Sequence, residues 1–531
     1  MHYKIPGILK KQTITQAALI IAVISFISKF FGFFREVLVA KYFGATGQTD
    51  AFLVAMIIPG MILGLFSGGF ATLIIPSYLE KKARSQETAR RFVNSVFMVW
   101  GAIFIFLSVL IFIFAPFCVR IVAYGFKGET FNLAVTLTRY LIVSGLFTVF
   151  TGMFTGLFQA EKQFFLPVFA TFLGNIGLVF SLFLLHRHLG IHSWTLGQIF
   201  NSGFAFFVML LILYWRFRFF HSLSYSQIDW NEIKNFALLL VPLVISGGLS
   251  ALNQIIDKTI ASSLDAGSIA ALNFSTRIWQ IPITLLAIPI ATAVFPTFSE
   301  LALNGTSKKE YESRLDRTLS YMFYLTIPST VFLFFLSKPL TRLFFERGAF
   351  DARATALTSF VLKMYVLGLF AHAISPILAR AFYSFKNTKT PLIISAICIS
   401  LNIILNILLS RLLGAAGIAL ATSIVMAVNI MLYSRFLRRY LTAFRAELHS
   451  DISKIIISSL PIGLVCYFSL PFLGNISAAS PPGFISLAIR IFAVGLISTI
   501  LFFILSRLFR LEPYLFLKSY TLNLIKKLLP K

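Results

Sequence analysis

Apolar residues along this chain come in continuous blocks of about twenty or more, the length a helix needs to cross the roughly 30 Å hydrocarbon core of a bilayer. Such blocks predict membrane-spanning helices near 16–43, 48–78, 92–119, 131–159, 164–186, 193–215, 234–262, 267–298, 316–338, 354–384, 390–411, 415–438, 455–473 and 485–506, fourteen in all. Several hold Pro or Gly, which membrane helices tolerate better than soluble ones do. The blocks do not alternate apolar with polar residues, so a transmembrane β-barrel is excluded. The expected fold class is an all-α polytopic membrane protein.

Composition agrees: of 531 residues, 58% are hydrophobic and 12% charged, and the mean hydropathy is +0.87. The net charge of +27 raises nucleic acid as a partner, but the placement of the charge argues against it. Every second loop is basic, as the positive-inside rule expects of cytoplasmic loops. The loop "EKKARSQETARR" carries five Lys or Arg; Arg216, Arg218 and Lys234 follow span six; Lys308, Lys309, Arg314 and Arg317 follow span eight; Arg435, Arg438, Arg439, Arg445 and Lys454 follow span twelve; Lys518, Lys526, Lys527 and Lys531 close the chain. The opposite side has Arg120, Lys127, Arg187 and Arg411, with one concentration at Lys338, Arg342, Arg347 and Arg353. Both termini are therefore expected in the cytoplasm, which requires an even number of spans. The basic "MHYKIPGILKKQ" and the block after it could pass for a signal peptide, but the block is too long, is interrupted by Lys29 and Arg35, and has no small-residue cleavage pattern. Cys118, Cys398 and Cys466 have no metal-ligand spacing and read as small core residues.

The chain also repeats. "PSYLE" at 76–80 resembles "PTFSE" at 296–300; Pro116 and Gly125 match Pro339 and Gly348; Phe158, Lys162, Pro167 and Gly190 match Phe382, Lys386, Pro391 and Gly414. The matches keep their order at a nearly constant offset. Spans 1–6 and 7–12 are thus read as two copies of one six-helix unit in the same orientation, a parallel repeat of the kind found in some alternating-access transporters. The expected division is an N-terminal lobe at 1–222, a C-terminal lobe at 223–441, and two further spans with a tail at 442–531.

Charges inside the spans carry the candidate chemistry, because a charge at the centre of a lipid-facing helix costs on the order of 2.5–3.5 kcal/mol on insertion scales. In "ISFISKFFGFFREVLVAKYFG", Lys29 and Glu36 fall within about 20° on one helix face and Arg35 lies about 120° round from Lys29. Asp50 opens the second span, Asp257 and Lys258 lie in the seventh, Arg277 in the eighth, and Arg380 at the end of the tenth. Glu36, Lys41, Asp50 and Arg380, all near span ends, suit internal ion pairs or snorkelling. Lys29 is too near mid-membrane to snorkel, and Arg277 is some ten residues into its span. These two point to a water-filled cavity with surplus cation, which would take an anion such as a phosphate. Asp257 needs a partner, and the adjacent Lys258 points about 100° away. A coupling proton or sodium ion is one reading; an ion pair with another helix is the other. Catalytic motifs are lacking: there is no Walker A, GxSxG or HExxH pattern. The seven His are His2, His186, His188, His192, His221, His372 and His449; "HRHLGIH" at 186–192 has no Cys or acidic residue nearby and reads as a solvated loop, so no metal and no cofactor is expected.

"SKFFGFFREVLVAKYFGATGQTDAFLVAMIIP", "LFFERGAF" at 343–350, "LARAFYSFKNTKTP" at 378–391 and "GAAGIALATS" at 414–423 resemble motifs of the MurJ/MviN family, the lipid II flippases of bacterial peptidoglycan synthesis. The resemblance runs over nearly the whole chain. It implies the multidrug/oligosaccharidyl-lipid/polysaccharide exporter fold: two six-helix lobes in a V, with two C-terminal helices lining a groove for the lipid tail. The implied activity is transfer of the undecaprenyl-pyrophosphate-linked peptidoglycan precursor, lipid II, from the inner to the outer leaflet of the cytoplasmic membrane, with roles in cell-wall biogenesis and cell shape. The implied partners are that lipid-linked precursor and membrane lipid, with cell-wall synthesis proteins as candidates and no nucleic acid; a monomer is expected. The family's first-span arginines match Lys29 and Arg35, its following acidic residue Glu36, its "TDAF" aspartate Asp50, and its eighth-span arginine Arg277, so these five are the implied substrate-binding residues. Two departures stand out. The second span reads "GMILGLFSGGFATLIIP", without the family's cation and "EGAF" glutamate, and "NTKTP" stands where "DTKTP" is usual. In spans 13 and 14, Ser459, Gly463, Ala493 and Gly495 are the small residues expected to leave room for an isoprenoid chain; mere packing is the alternative. Two other functions compete: export of another polyprenyl-linked glycan or a drug, and a non-transporting envelope scaffold.

Overall fold

A computed structural model of the chain describes residues 14–220, 228–303, 308–441, 446–474, 483–516 and 518–519. The basic stretch 1–12 with His2, and His221, Arg445, Lys526, Lys527 and Lys531, lie outside the described residues. Among the described residues there are helices and no strand. They form two compact units, Met1–Ala270 with Gly348–Phe350, and Ala271–Arg347 with Asp351–Lys531.

The first unit holds α1 (Ile14–Phe43), α2 (Gly47–Ile62), α3 (Gly64–Arg84), α4 (Gln86–Ile113), α5 (Ala115–Val122), α6 (Gly128–Ala160), α7 (Phe165–Leu189), α8 (His192–Phe217) and α9 (Trp230–Ala261). Side chains stop the helices from fraying: Ser85 Oγ accepts from Thr88 N at 3.0 Å at the start of α4, and Asp229 from Asn231 N and Glu232 N at 3.1 Å each at the start of α9. In the second span Leu63 separates α2 from α3 while its N still donates to Pro59 O at 3.0 Å; Pro59 itself lacks the N–H that would bond Ala55 O, one turn earlier. α6 is the hub, packed by α2, α3, α4 and α8. Its glycines let the second span approach closely, since a Cβ at Gly152 would lie 2.5 Å from the Ser67 carbonyl oxygen and one at Gly156 2.9 Å from that of Ala71. Aromatic rings fill the rest, with Phe97, Phe150, Phe154, Phe206 and Phe220 in mutual contact.

The chain continues through α10 (Ser268–Pro282), a π-helical turn (Ile283–Ala287), α11 (Ile288–Leu303), α12 (Lys308–Phe335), α13 (Ser337–Phe345), α14 (Ala352–Val366), α15 (Leu369–Ser384), α16 (Lys389–Leu413), α17 (Ala415–Leu437), α18 (Ala446–Gly474) and α19 (Phe484–Leu508). The second unit's core joins Leu315, Leu319 and Met322 of α12 to Ala373, Ile377 and Phe382 of α15 and Tyr433 of α17.

Every expected span is helical. Among the described residues, eleven helical stretches are long and apolar enough to cross a membrane, or twelve if α14 and α15, bent by 42°, count as one broken span. The fourteen expected from sequence are therefore not all established. α1 and α9 are the two long helices outside that set, each running over side chains that are not described.

The repeat is visible in the backbone. Lys162 and Lys386 both take positive φ, 57° and 56°, and the turns around them close alike: Gln163 N donates to Phe158 O, and Asn387 N to Phe382 O. Gly190 and Gly414 end α7 and α16 with nearly equal angles, φ 51° and 59°. The side chains have diverged on this common frame. In the first copy the buried Tyr78 donates to Glu161 at 2.5 Å, and Glu161 also pairs with Lys82. The matching positions in the second copy, Phe298 and Phe385, instead flank the ring of Tyr311.

Glu161→Ala should destabilise the protein by about 1–3 kcal/mol, because it strands the Tyr78 hydroxyl as well as Lys82. Tyr78→Phe should cost less, since Glu161 keeps Lys82. Thermal unfolding of the purified variants in detergent checks the order.

Candidate functional site

α1 carries three of the candidate residues, and they differ in what meets them. Arg35 Nη2 donates to Glu36 Oε1 at 2.9 Å, and Glu36 is buried. Lys29, two turns earlier, is not covered by protein and has no hydrogen-bond or ion-pair partner among the described residues. A Cβ at Gly32 would meet nothing within 4 Å, so the same stretch of α1 is open. The adjacent pair is nearly neutral as a unit; the surplus cation is Lys29.

Asp50 is placed differently. Its carboxylate accepts from Gly267 N at 2.6 Å and Ala270 N at 2.7 Å, the N–H groups that open α10. It also stands in the first turn of α2, so one carboxylate meets two helix N-termini, the end of a helix that favours anions. Around it the chain is unusually close. Ala349 N donates to Lys41 O at 2.8 Å. Gly348, at φ +61°, comes so near that an added Cβ would lie 2.2 Å from the Lys41 oxygen; a Cβ on Gly267, at φ +92°, would lie 2.2 Å from the Ala45 oxygen. Only glycine permits either approach. This junction of the α1 end, the α2 start, the α10 start and residues 348–350 was not anticipated as a contact. Its one trace in the sequence is the glycine in "LFFERGAF" and in "SLDAG".

Arg277 is half-buried in α10. Ser275 donates to Thr358 O at 2.8 Å and Trp279 stacks on Tyr365 at 5.5 Å, both toward α14. Arg277 lies about 200° round from Ser275 and so points to the other face. Asp257 and Lys258 are half-buried in α9, and both have interactions with other groups. The second span is smooth where the family pattern has charges: a Cβ at Gly60, Gly64 or Gly68 would meet nothing within 4 Å. Pro59, Gly60 and Gly64, with Ser144, Thr148 and Gln198, line a cavity of about 180 Å³.

For the small residues of the last two spans, packing is the alternative to open space, and it applies to two of the four. Gly463 of α18 and Gly495 of α19 do not leave space: their missing Cβ atoms would sit 3.0 Å from Phe335 and 3.4 Å from Phe332 of α12. Ser459 is fully buried. Only Ala493 is exposed. Two of these four small residues, Gly463 and Gly495, therefore pack against α12.

The model of the family "Lipid II flippase MurJ" matches residues 39–482. The chain belongs to this family. Among its relatives, a probable lipid II flippase MurJ from Rhizobium tropici is 29% identical, with 84% of this chain and 86% of that protein covered. The lipid II flippase MurJ of Burkholderia cenocepacia is 28% identical over 80% and 84%. A solved structure of lipid II flippase MurJ in an inward closed conformation matches with a TM-score of 0.77 at 28% identity, over 92% of this chain and 99% of that one. An inward-facing multidrug transporter of the MATE family and MOP superfamily matches with a TM-score of 0.64 at 14% identity, over 80% and 98%; this second likeness shows the fold alone. The protein is thus a multi-pass bacterial inner-membrane protein with the MurJ fold.

The junction at Asp50 makes a direct test. Asp50→Ala should strand two N–H donors, at about 1–3 kcal/mol each, and lower the thermal midpoint more than Asp50→Asn, which keeps one acceptor oxygen. Gly348→Ala should lower both the midpoint and complementation of a flippase-depleted strain, whereas Gly68→Ala, with open space around it, should lower neither.

Proposed function

We infer that this chain flips lipid II, the undecaprenyl-pyrophosphate-linked peptidoglycan precursor, from the inner to the outer leaflet of the cytoplasmic membrane by alternating access. The observation that supports it most is the family match over residues 39–482, joined to a membrane helix whose Lys29 has no counter-ion among the described residues. Lys29, Arg35 and Arg277 take the pyrophosphate. Glu36 and Asp50 belong to the same set in a positional role: Glu36 holds Arg35, and Asp50 holds the start of α10. α1 and α9 are the two spans that complete fourteen, both termini are cytoplasmic, and α18 and α19 carry the isoprenoid tail on a face other than the one packed on α12. With the N-terminus inside, the junction of Lys41, Asp50, Gly267 and Ala349 is at the outer end of the first span and must part for outward release.

A dianionic headgroup moving out is helped by an inside-negative potential, by about 2.3 kcal/mol per charge per 100 mV. Export of a different glycan or a drug, or a scaffold role, finds no support in these matches.

Lys29→Ala and Arg277→Ala should each abolish complementation and lipid II flipping in proteoliposomes at normal protein levels. Lys29→Arg should keep both, since the family uses Arg there. Full activity in the two alanine variants would remove the anion role. A bound proton or sodium ion at Asp257 biases the cycle, so Asp257→Asn should change how flipping depends on pH or on sodium; an unchanged dependence would leave Asp257 as a plain ion-pair partner.

A further inference from the structure

Arg380 lies in α15, one turn before its end at Ser384. Its place near a span end suits an ion pair, but the structure supplies none. Nη2 donates to Thr292 Oγ1 of α11 at 3.2 Å, and that hydroxyl already donates to Ile288 O at 2.9 Å. Nη1 is buried with no acceptor. Among the described residues no carboxylate pairs with Arg380.

The surrounding chain explains why. Between Asp351 and Glu447 there is not one Asp or Glu, so α14 to α17 offer no counter-charge at all. On α11 the one carboxylate is Glu300, eight residues beyond Thr292 and so about 12 Å along the axis. On α12, Glu312 and Asp316 are buried beside Ser434 and Arg438. More cations follow α15: Lys386 and Lys389 are exposed just past its end. A guanidinium left with a neutral partner and a stranded donor in a membrane span is costly unless an anion arrives from elsewhere. Thr292 is exposed, so the Nη2 edge of the guanidinium is open to such an anion.

We propose that Arg380 is a further binding residue for the phosphate groups of the lipid-linked substrate, at the end of α15, with Thr292 as the residue that positions its guanidinium. This deepens the flippase reading and rests on it. The planar fork of Arg suits a phosphate's paired oxygens, whereas Lys would supply a point charge only. The source of the phosphate matters, because a bulk anionic phospholipid presents the same chemistry as the substrate's pyrophosphate.

The test uses the full chain in phosphatidylcholine nanodiscs with undecaprenyl pyrophosphate as probe. Arg380→Gln should weaken binding about 10-fold or more, and Arg380→Lys less. Thr292→Val should weaken it a few-fold, and phosphatidylglycerol in the disc should not compete. Thermal midpoints close to wild type show that the variants are folded; if Arg380→Gln is not, Arg380→Lys and Thr292→Val carry the test. Unchanged affinity in the folded variants overturns the proposal. Competition by phosphatidylglycerol in the wild type but not in Arg380→Gln overturns it in favour of a bulk-lipid site. A wild-type protein that does not bind the probe overturns the flippase reading itself, whatever the variants do.

Discussion

An ion moved from water into hydrocarbon costs several kcal/mol unless an opposite charge, a hydrogen-bond acceptor or water meets it there. The chain answers that constraint in three ways. Arg35 brings its own counter-ion in the next residue, Glu36. Asp50 uses backbone N–H groups of a second helix start, so no cation is needed. Lys29 has no partner among the described residues, and Arg380 has only the neutral Thr292 hydroxyl. The first two arrangements meet the charge from within the protein itself. The last two leave cations without a counter-ion among the described residues, and the proposed anion role rests on that.

The internal repeat supplies the frame on which these differences are laid. Paired turns at Lys162 and Lys386 and paired helix ends at Gly190 and Gly414 keep one backbone plan in both copies. Polar content does not follow the plan. The first copy holds a Tyr78–Glu161–Lys82 cluster where the second has rings around Tyr311. The stretch from 352 to 446 has lost every carboxylate while keeping its cations. Backbone geometry in a membrane is held by the need to satisfy each N–H and C=O within the helix, so it persists. Side-chain charge is free to drift toward whatever each copy must bind.

The helices were legible because hydrocarbon thickness sets a block length that composition reveals directly. The turn in the second span was half legible: Pro59 and the glycines are plain in the sequence, but the place of the turn at Leu63, with α2 and α3 both on α6, is not. Asp50 was legible as a span-end charge, yet its partners Gly267 and Ala270 lie more than 200 residues away, and no local pattern encodes a carboxylate meeting a distant helix start. The small residues of the last two spans left packing and open space undecided for a related reason. Periodicity shows that Gly463 and Gly495 are small, but not that Phe335 and Phe332 fill the space beside them. Arg380 read as an ordinary snorkelling or paired cation, because a missing counter-charge can be recognised only when all neighbouring elements are known.

The two unmatched cations also differ in kind. An ammonium is compact and strongly hydrated, and it tolerates an open, wet setting; a guanidinium is weakly hydrated and tolerates partial burial beside neutral groups. Lys29 stands where nothing covers it, and Arg380 stands half covered against Thr292. Each residue type therefore suits its setting, and the two are not interchangeable. Lys attracts the charge from any direction, whereas Arg constrains its orientation. Neither reads sugar or peptide, because phosphate contacts carry no information about what the phosphate is attached to. In the second span, where the family pattern has charges, this chain instead has Gly60, Gly64 and Gly68, with open space where each side chain would be.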